Sequence, residues 1–159
     1  MLLQFIGAMH GLRIKMRYVW QSDVKAKQLV EQACGVTIEG PYSGLVLFKG
    51  GEIIGAAIFT NYDHYDVQMG GVLTGEEVGI KISRQIAHYV FVQMNCQRCT
   101  AITPRSNIKA QTALTRLGFV FEGVMREHFP NREDGFMFGL LRSEQRLLRH
   151  HEDLLADSD

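Results

Sequence analysis

Two strand-like runs, residues 43–49 and 52–60, are separated only by Gly50-Gly51. A two-residue loop of two glycines suits a tight primed turn, whose central residues take positive φ. The pair therefore predicts an antiparallel hairpin with its register fixed at the turn. A third run, residues 62–71, follows through Asn61. Gly70-Gly71 at its end predicts a bulge or a close backbone approach. Residues 74–95 then give the longest helical pattern, with Val78, Ile82, Ile86, Tyr89 and Val90 on one face and Phe91 and Met94 close by. Thr74-x-x-Glu77 fits a capping box at its start. Residues 98–103 read as a strand ended by Pro104. A helix between two strands supplies the crossover that lets them lie parallel. The core of the chain is thus predicted to be a mixed, mostly antiparallel sheet with a central βαβ unit.

The flanking segments extend this pattern. Residues 12–19 alternate apolar side chains with Arg13, Lys15 and Arg17, as a half-buried strand does. Residues 22–33 read as a helix, with Ser22 or Asp23 as N-cap and Gly35 past its end, and Gly40-Pro41 marks a loop. Residues 107–117 form a helix closed by Gly118. Short strands at 119–122 and 136–141 are joined by an irregular arm, 126–135, and residues 143–155 suggest a C-terminal helix before an acidic tail. The order is β-α-β-β-β-α-β-α-β-β-α, an α/β (α+β) arrangement with flanking helices. A chain of 159 residues is the length of one ordinary domain, so residues 1–159 are expected to form one.

Charge and cysteine usage narrow the function classes. Seventeen Lys+Arg balance seventeen Asp+Glu, so no global field draws nucleic acid or an anionic membrane. The balance is local: residues 98–149 carry nine Lys/Arg against five acids, which points the C-terminal half toward an anionic ligand. Three cysteines make no disulfide framework. Cys96-x-x-Cys99 lacks a second pair at zinc-finger spacing and reads as two small buried residues where a helix meets a strand. No histidine–carboxylate grouping has metal-ligand spacing, so no metal is expected. The longest apolar run, 53–59, is too short to span a bilayer, and residues 1–8 lack the basic region of a signal peptide. A cytoplasmic location is the resulting expectation.

The chemistry concentrates between Arg98 and Leu141. Asn107-x-x-Ala110 is followed after seven residues by Gly118-Phe119, then Glu122-Gly123, Arg126, Asp134 and an apolar last strand. This set resembles the GNAT superfamily of acetyl-CoA-dependent N-acetyltransferases. It looks most like the ribosomal-protein N-terminal acetyltransferase branch and small phage-encoded acetyltransferases. The match runs from Val78 to Leu141. The resemblance implies a GNAT-like domain holding acetyl-CoA in a V between the 62–71 and 98–103 strands.

Counting back from Asn107 by the family's spacing lands on Gly79 as the last glycine of a pyrophosphate loop. Thr74 then takes the family's Gln/Arg place and Glu77 that of its first glycine, a departure from the pattern. Backbone N–H groups of residues 75–80, from Gly75 through Gly79 to Ile80, would cradle the pyrophosphate as helix N-termini do, with Lys81 and Arg84 near its charge. Amides around Met69, Gly70 and Gly71 would polarise the thioester carbonyl. Asn107 is read two ways, as a helix cap and as a coenzyme ligand. Asp63, His64 and Asp66 are the acid–base candidates, against the plain reading of solvated charges at a strand start. Asp63 is the preferred base, and needs a burial-raised pKa or an ordered water to act. Leu114 occupies the place where many relatives carry a tyrosine general acid.

The implied activity is transfer of an acetyl group to a primary amine by direct attack in a ternary complex. The acceptor is a small molecule or peptide, without membrane or strong nucleic-acid binding, and a homodimer is left open. Glu77 and Leu114 keep a second class in view, a non-catalytic GNAT-fold module that binds CoA or regulates. A third, a transferase aimed at tRNA-borne amines, is disfavoured by the neutral charge.

Overall fold

The computed structural model describes residues 19–73 and 79–145. The elements are β1 (Val19–Gln21), α1 (Asp23–Cys34), β2 (Ser43–Lys49), β3 (Glu52–Thr60), β4 (Asp66–Leu73), α2 (Ile80–His88), β5 (Arg98–Pro104), α3 (Ile108–Leu117), β6 (Val120–Met125) and β7 (Gly135–Leu141). A π-helical turn, Tyr89–Gln93, extends α2, and a 3₁₀ turn, Arg142–Glu144, follows β7. The strands form a seven-stranded sheet in the order β1-β2-β3-β4-β5-β7-β6. Every pairing is antiparallel except β4 with β5, where α2 makes the crossover. This is the mixed sheet with a central βαβ unit that the sequence predicts.

The hairpin forms with the predicted bounds, and Gly50 and Gly51 take φ of 59° and 87°, the signs a primed turn needs. Helix α1 starts at the Ser22 cap, whose side chain accepts the N–H of Lys25, and ends at Gly35 in the left-handed region. It buries Ala26 and Val30 against Val46, Ala56 and Ile58 on one face of the sheet. The larger core lies on the other face, where Ile82, Ile86, Val90 and Phe91 meet Leu45, Phe59, Val67, Met69, Cys99 and Ala101, with Leu114 and Leu117 of α3 closing it. Cys96 and Cys99 are free and fully buried, and burial raises both thiols. They are the small core residues expected at the junction of helix and strand.

Four boundaries differ from the sequence reading. Residues 62–65 are a loop, because the Asp63 carboxylate accepts the N–H groups of Tyr65 and Asp66 and closes a turn before β4 begins. His64 sits in this turn at φ 78°. The strict alternation expected along 62–66 is therefore absent. Second, Gly70-Gly71 carries no bulge: β3 and β4 pair without a break from Gly55↔Leu73 to Thr60↔Gln68. The close approach at Gly71 is to β3, where an added Cβ would lie 2.5 Å from the Ala56 carbonyl oxygen. Third, described helix α2 begins at Ile80, with Gly79 as an extended N-cap, while Thr74, Gly75 and Glu77 lie outside the described residues. Fourth, β6 starts and ends later than predicted, at Val120 and Met125. The predicted strand at 12–19, apart from Val19, and the body of the C-terminal helix also fall outside the described residues.

Candidate functional site

The sheet opens at its centre. β4 and β5 pair only through Asp66↔Arg98, Val67↔Cys99 and Gln68↔Thr100. Beyond that rung β4 continues to Leu73 alongside β3, and β5 continues to Pro104 alongside β7. The strands have parted, so the backbone groups of Met69–Leu73 that point toward β5 have no ladder partner there. Gly70 is exposed and an added Cβ would meet nothing within 4 Å, so one wall of the fork is bare backbone.

Two helix starts stand in the segments that follow the splayed ends. Helix α2 begins at Gly79 with no side-chain cap hydrogen bond, and Ser83 N–H is the first to return to the Gly79 carbonyl. The N–H groups of Ile80, Lys81 and Ile82 thus precede the first intrahelical bond and carry the positive end of the helix dipole. Gly79 is exposed and offers no Cβ to a ligand approaching them. Lys81 is exposed and Arg84 half-buried on the first turn and a half. Helix α3 begins at Asn107, whose Oδ1 accepts the Ala110 N–H at 3.0 Å. Its side-chain NH₂ makes no hydrogen bond among the described residues, so the cap and a ligand role use different atoms.

The arm between β6 and β7 is tied to this end. Asp134 accepts the Glu127 N–H through Oδ1 and the Arg105 N–H through its carbonyl. Glu133 accepts the Ser106 N–H, and hydrogen bonds from the Ser106 side chain and then its backbone pull the Glu133 carboxyl pKa down. Asp134 of the recognised pattern is thus a strut of the arm. His128 and Ile102 both crowd Gly135, where an added Cβ would meet each at 3.0 Å.

The three acid–base candidates separate. Asp63 is exposed, and its two backbone hydrogen bonds pull its pKa down. That is the reverse of the burial-raised base the sequence reading called for. His64 is exposed and stacks edge-on against Tyr62 at 5.1 Å. Asp66 opens the paired stretch, two residues before the strands part, and its Oδ2 accepts the Thr100 hydroxyl at 2.7 Å. Arg98 joins this group by donating Nε to the same hydroxyl at 2.9 Å, while its Nη1 donates to Glu122 at 2.9 Å. Sequence reasoning assigned no role to Arg98 or Thr100. Their signal was the alternation of β5, which puts both on one face of the strand. Leu114 is buried in the core and carries no proton. Among the described residues, no three His, Cys, Asp or Glu are grouped to hold a metal ion.

No protein-family model matches the sequence, and no curated protein is significantly similar to it. Solved structures do match. A GNAT-family acetyltransferase from Bacillus anthracis superposes with a TM-score of 0.55 at 17% identity, over 65% of this chain and 67% of that one. Ribosomal-protein-S5-alanine acetyltransferase from Vibrio fischeri gives 0.53 at 24%, over 65% and 63%. Mycobacterium smegmatis RimJ, solved with CoA-disulfide, gives 0.56 at 19%, over 67% and 56%. This chain has the GNAT fold, as the resemblance implied, and it spans less than two thirds of the last two proteins. No helix among the described residues is long and apolar enough to cross a membrane.

Proposed function

We propose that this protein is an N-acetyltransferase that moves an acetyl group from acetyl-CoA to a primary amine. The observation that carries the reading is the fork between β4 and β5, followed on its β4 limb by a helix start with no side-chain cap among the described residues. Structurally similar proteins are acetyltransferases, and one was solved with a CoA derivative.

In this reading the pyrophosphate sits on the N–H groups that open α2, with Gly75, Gly79, Ile80, Lys81 and Arg84 around it. The Asn107 amide NH₂ donates to the pantetheine or phosphate region. Pantetheine lies along Met69, Gly70 and Gly71, whose free backbone groups replace the missing strand ladder. An N–H of this stretch faces the thioester carbonyl and stabilises the oxyanion as the amine adds. The nitrogen–carbon bond forms, the carbon–sulfur bond breaks, and CoA leaves as a thiolate. The proton released by the amine passes to water or to the thiolate. Asp63, with its depressed pKa, and His64 lie in the turn before β4, at the closed end of the β4–β5 pairing, and Asp66 stands on its first rung. The acetyl-CoA cosubstrate needs no metal in this scheme. Whether copies of the chain associate does not enter it.

One observation favours the second reading, a CoA-binding module without turnover: buried Leu114 stands where a tyrosine acid would be. Thiol release from acetyl-CoA with a panel of primary amines separates the two. Amine-dependent release supports the transferase. Saturable CoA binding with no release from any amine supports the module.

A further inference from the structure

The chain of polar groups running from the fork to the sheet edge has a fixed direction. A bulge between Phe121 and Gly123 breaks the register of β6 with β7 at Glu122. The Glu122 carboxylate lies over Gly139, where an added Cβ would meet Oε1 at 2.2 Å and Arg98 Nη1 at 2.9 Å. A side chain at 139 would displace the carboxylate and guanidinium from this placement. The Arg98 guanidinium binds Glu122 through both terminal nitrogens. Its remaining donor, Nε, is thereby aimed along β5 at the Thr100 hydroxyl. A hydroxyl that accepts from Arg98 turns its own hydrogen elsewhere, and here it goes to Asp66 Oδ2. Asp66 Oδ1 is buried without a partner, so the carboxylate, about a third exposed, presents the other oxygen. That oxygen accepts one hydrogen bond and has capacity for another. It lies beside the last β4–β5 rung, Gln68↔Thr100, where the two strands part.

We propose that Arg98 is a positioning residue for acetyl transfer: clamped by Glu122 over Gly139, it orients Thr100 so that Asp66 Oδ2 receives the ammonium group of a cationic amine acceptor at the base of the fork. The proposal rests on the transferase reading and names its acceptor class. Arg98 touches neither substrate. It orients Asp66 Oδ2 through Thr100 and also pairs with that oxygen directly from Nε at 3.7 Å, so Thr100→Val cuts the relay and leaves the ion pair in place.

The test is steady-state transfer from acetyl-CoA to spermidine, to an alanine-initiated peptide and to simple alkylamines, with acetyl-CoA affinity measured separately by calorimetry. Thr100→Val keeps the shape of the side chain and leaves the Arg98–Glu122 pair in place, so it folds even if Arg98→Gln does not. It is expected to raise the acceptor KM about tenfold or more, while acetyl-CoA affinity stays within about twofold. Thr100→Ser, which restores the hydroxyl, is expected to recover most of the loss. An unchanged acceptor KM in Thr100→Val overturns the proposal. So does failure of Thr100→Ser to rescue, and so does a parallel loss of acetyl-CoA affinity. A wild-type protein that binds acetyl-CoA but acetylates none of these cationic amines also overturns it. A protein that binds no acetyl-CoA overturns the transferase reading itself.

Discussion

At the residue scale, two side chains that share the look of catalytic groups have separable structural duties. Asn107 caps α3 through Oδ1 and leaves its NH₂ without a hydrogen bond among the described residues. Asn107→Ala is expected to cost about 1 kcal/mol of stability through the lost cap. It is also expected to weaken acetyl-CoA binding by a further 0.5–1.5 kcal/mol or so through the lost ligand hydrogen bond. Melting and calorimetry on the same sample measure both, and a fall in Tm with unchanged affinity reduces Asn107 to a cap. Glu122 is the second case. Its pKa is pulled below the ordinary 4.5 chiefly by the hydrogen bond from Arg98. A carboxyl depressed in the folded state stabilises fully above its unfolded pKa and loses that stabilisation as pH falls through the folded one. Glu122→Gln should therefore be less stable than wild type at pH 7, by about 1 kcal/mol or less for such a partly exposed pair. The gap should close as pH drops below about 4. Denaturant unfolding at pH 7 and pH 3 checks the sign, and a gap that widens in acid contradicts it.

At the element scale, the two adjacent glycines of β4 differ in their surroundings. Gly71 packs against the Ala56 carbonyl, whereas Gly70 faces open space. Gly71→Ala is expected to lower Tm by forcing β3 and β4 apart. Gly70→Ala should melt like wild type yet bind acetyl-CoA more weakly, since its methyl group intrudes on the bare wall of the fork. Equal Tm for both variants contradicts this division. The element pattern itself was legible wherever periodicity was long or a turn dictated geometry. Gly50-Gly51 set the hairpin, and the crossover helix set the parallel pair. The start of β4 was not legible because Asp63 folds back on its own backbone, a local competition that β-like composition conceals. Of the two readings of Gly70-Gly71, a bulge or a close approach, the second holds at Gly71, and the register shifts lie at Leu47/Phe48 and Phe121/Gly123, because glycine in a strand signals close approach as readily as an extra residue. Asn107 and the fork were reached through the recognised pattern. The Arg98–Thr100–Asp66 relay was not, because it joins residues 34 apart in sequence through a pairing that no local signal announces.

At the scale of the whole molecule, the parting of β4 from β5 is the feature from which the function is argued. Seven strands otherwise pair edge to edge, and the sheet gives up ladder hydrogen bonds at its centre. Such a loss is tolerated where something else satisfies the backbone. In the proposed function acetyl-CoA would supply amide groups for the strand and a pyrophosphate for the helix start, so the whole account stands on its binding. Titration of the purified protein with acetyl-CoA by calorimetry, alongside Gly79→Glu, tests this most directly. Gly79→Glu sets a carboxylate before the open N–H groups of α2 while meeting no neighbour of its own. The account predicts saturable binding by the wild type that is lost in a normally folded Gly79→Glu. No heat and no thermal shift from the wild type at millimolar acetyl-CoA would contradict it.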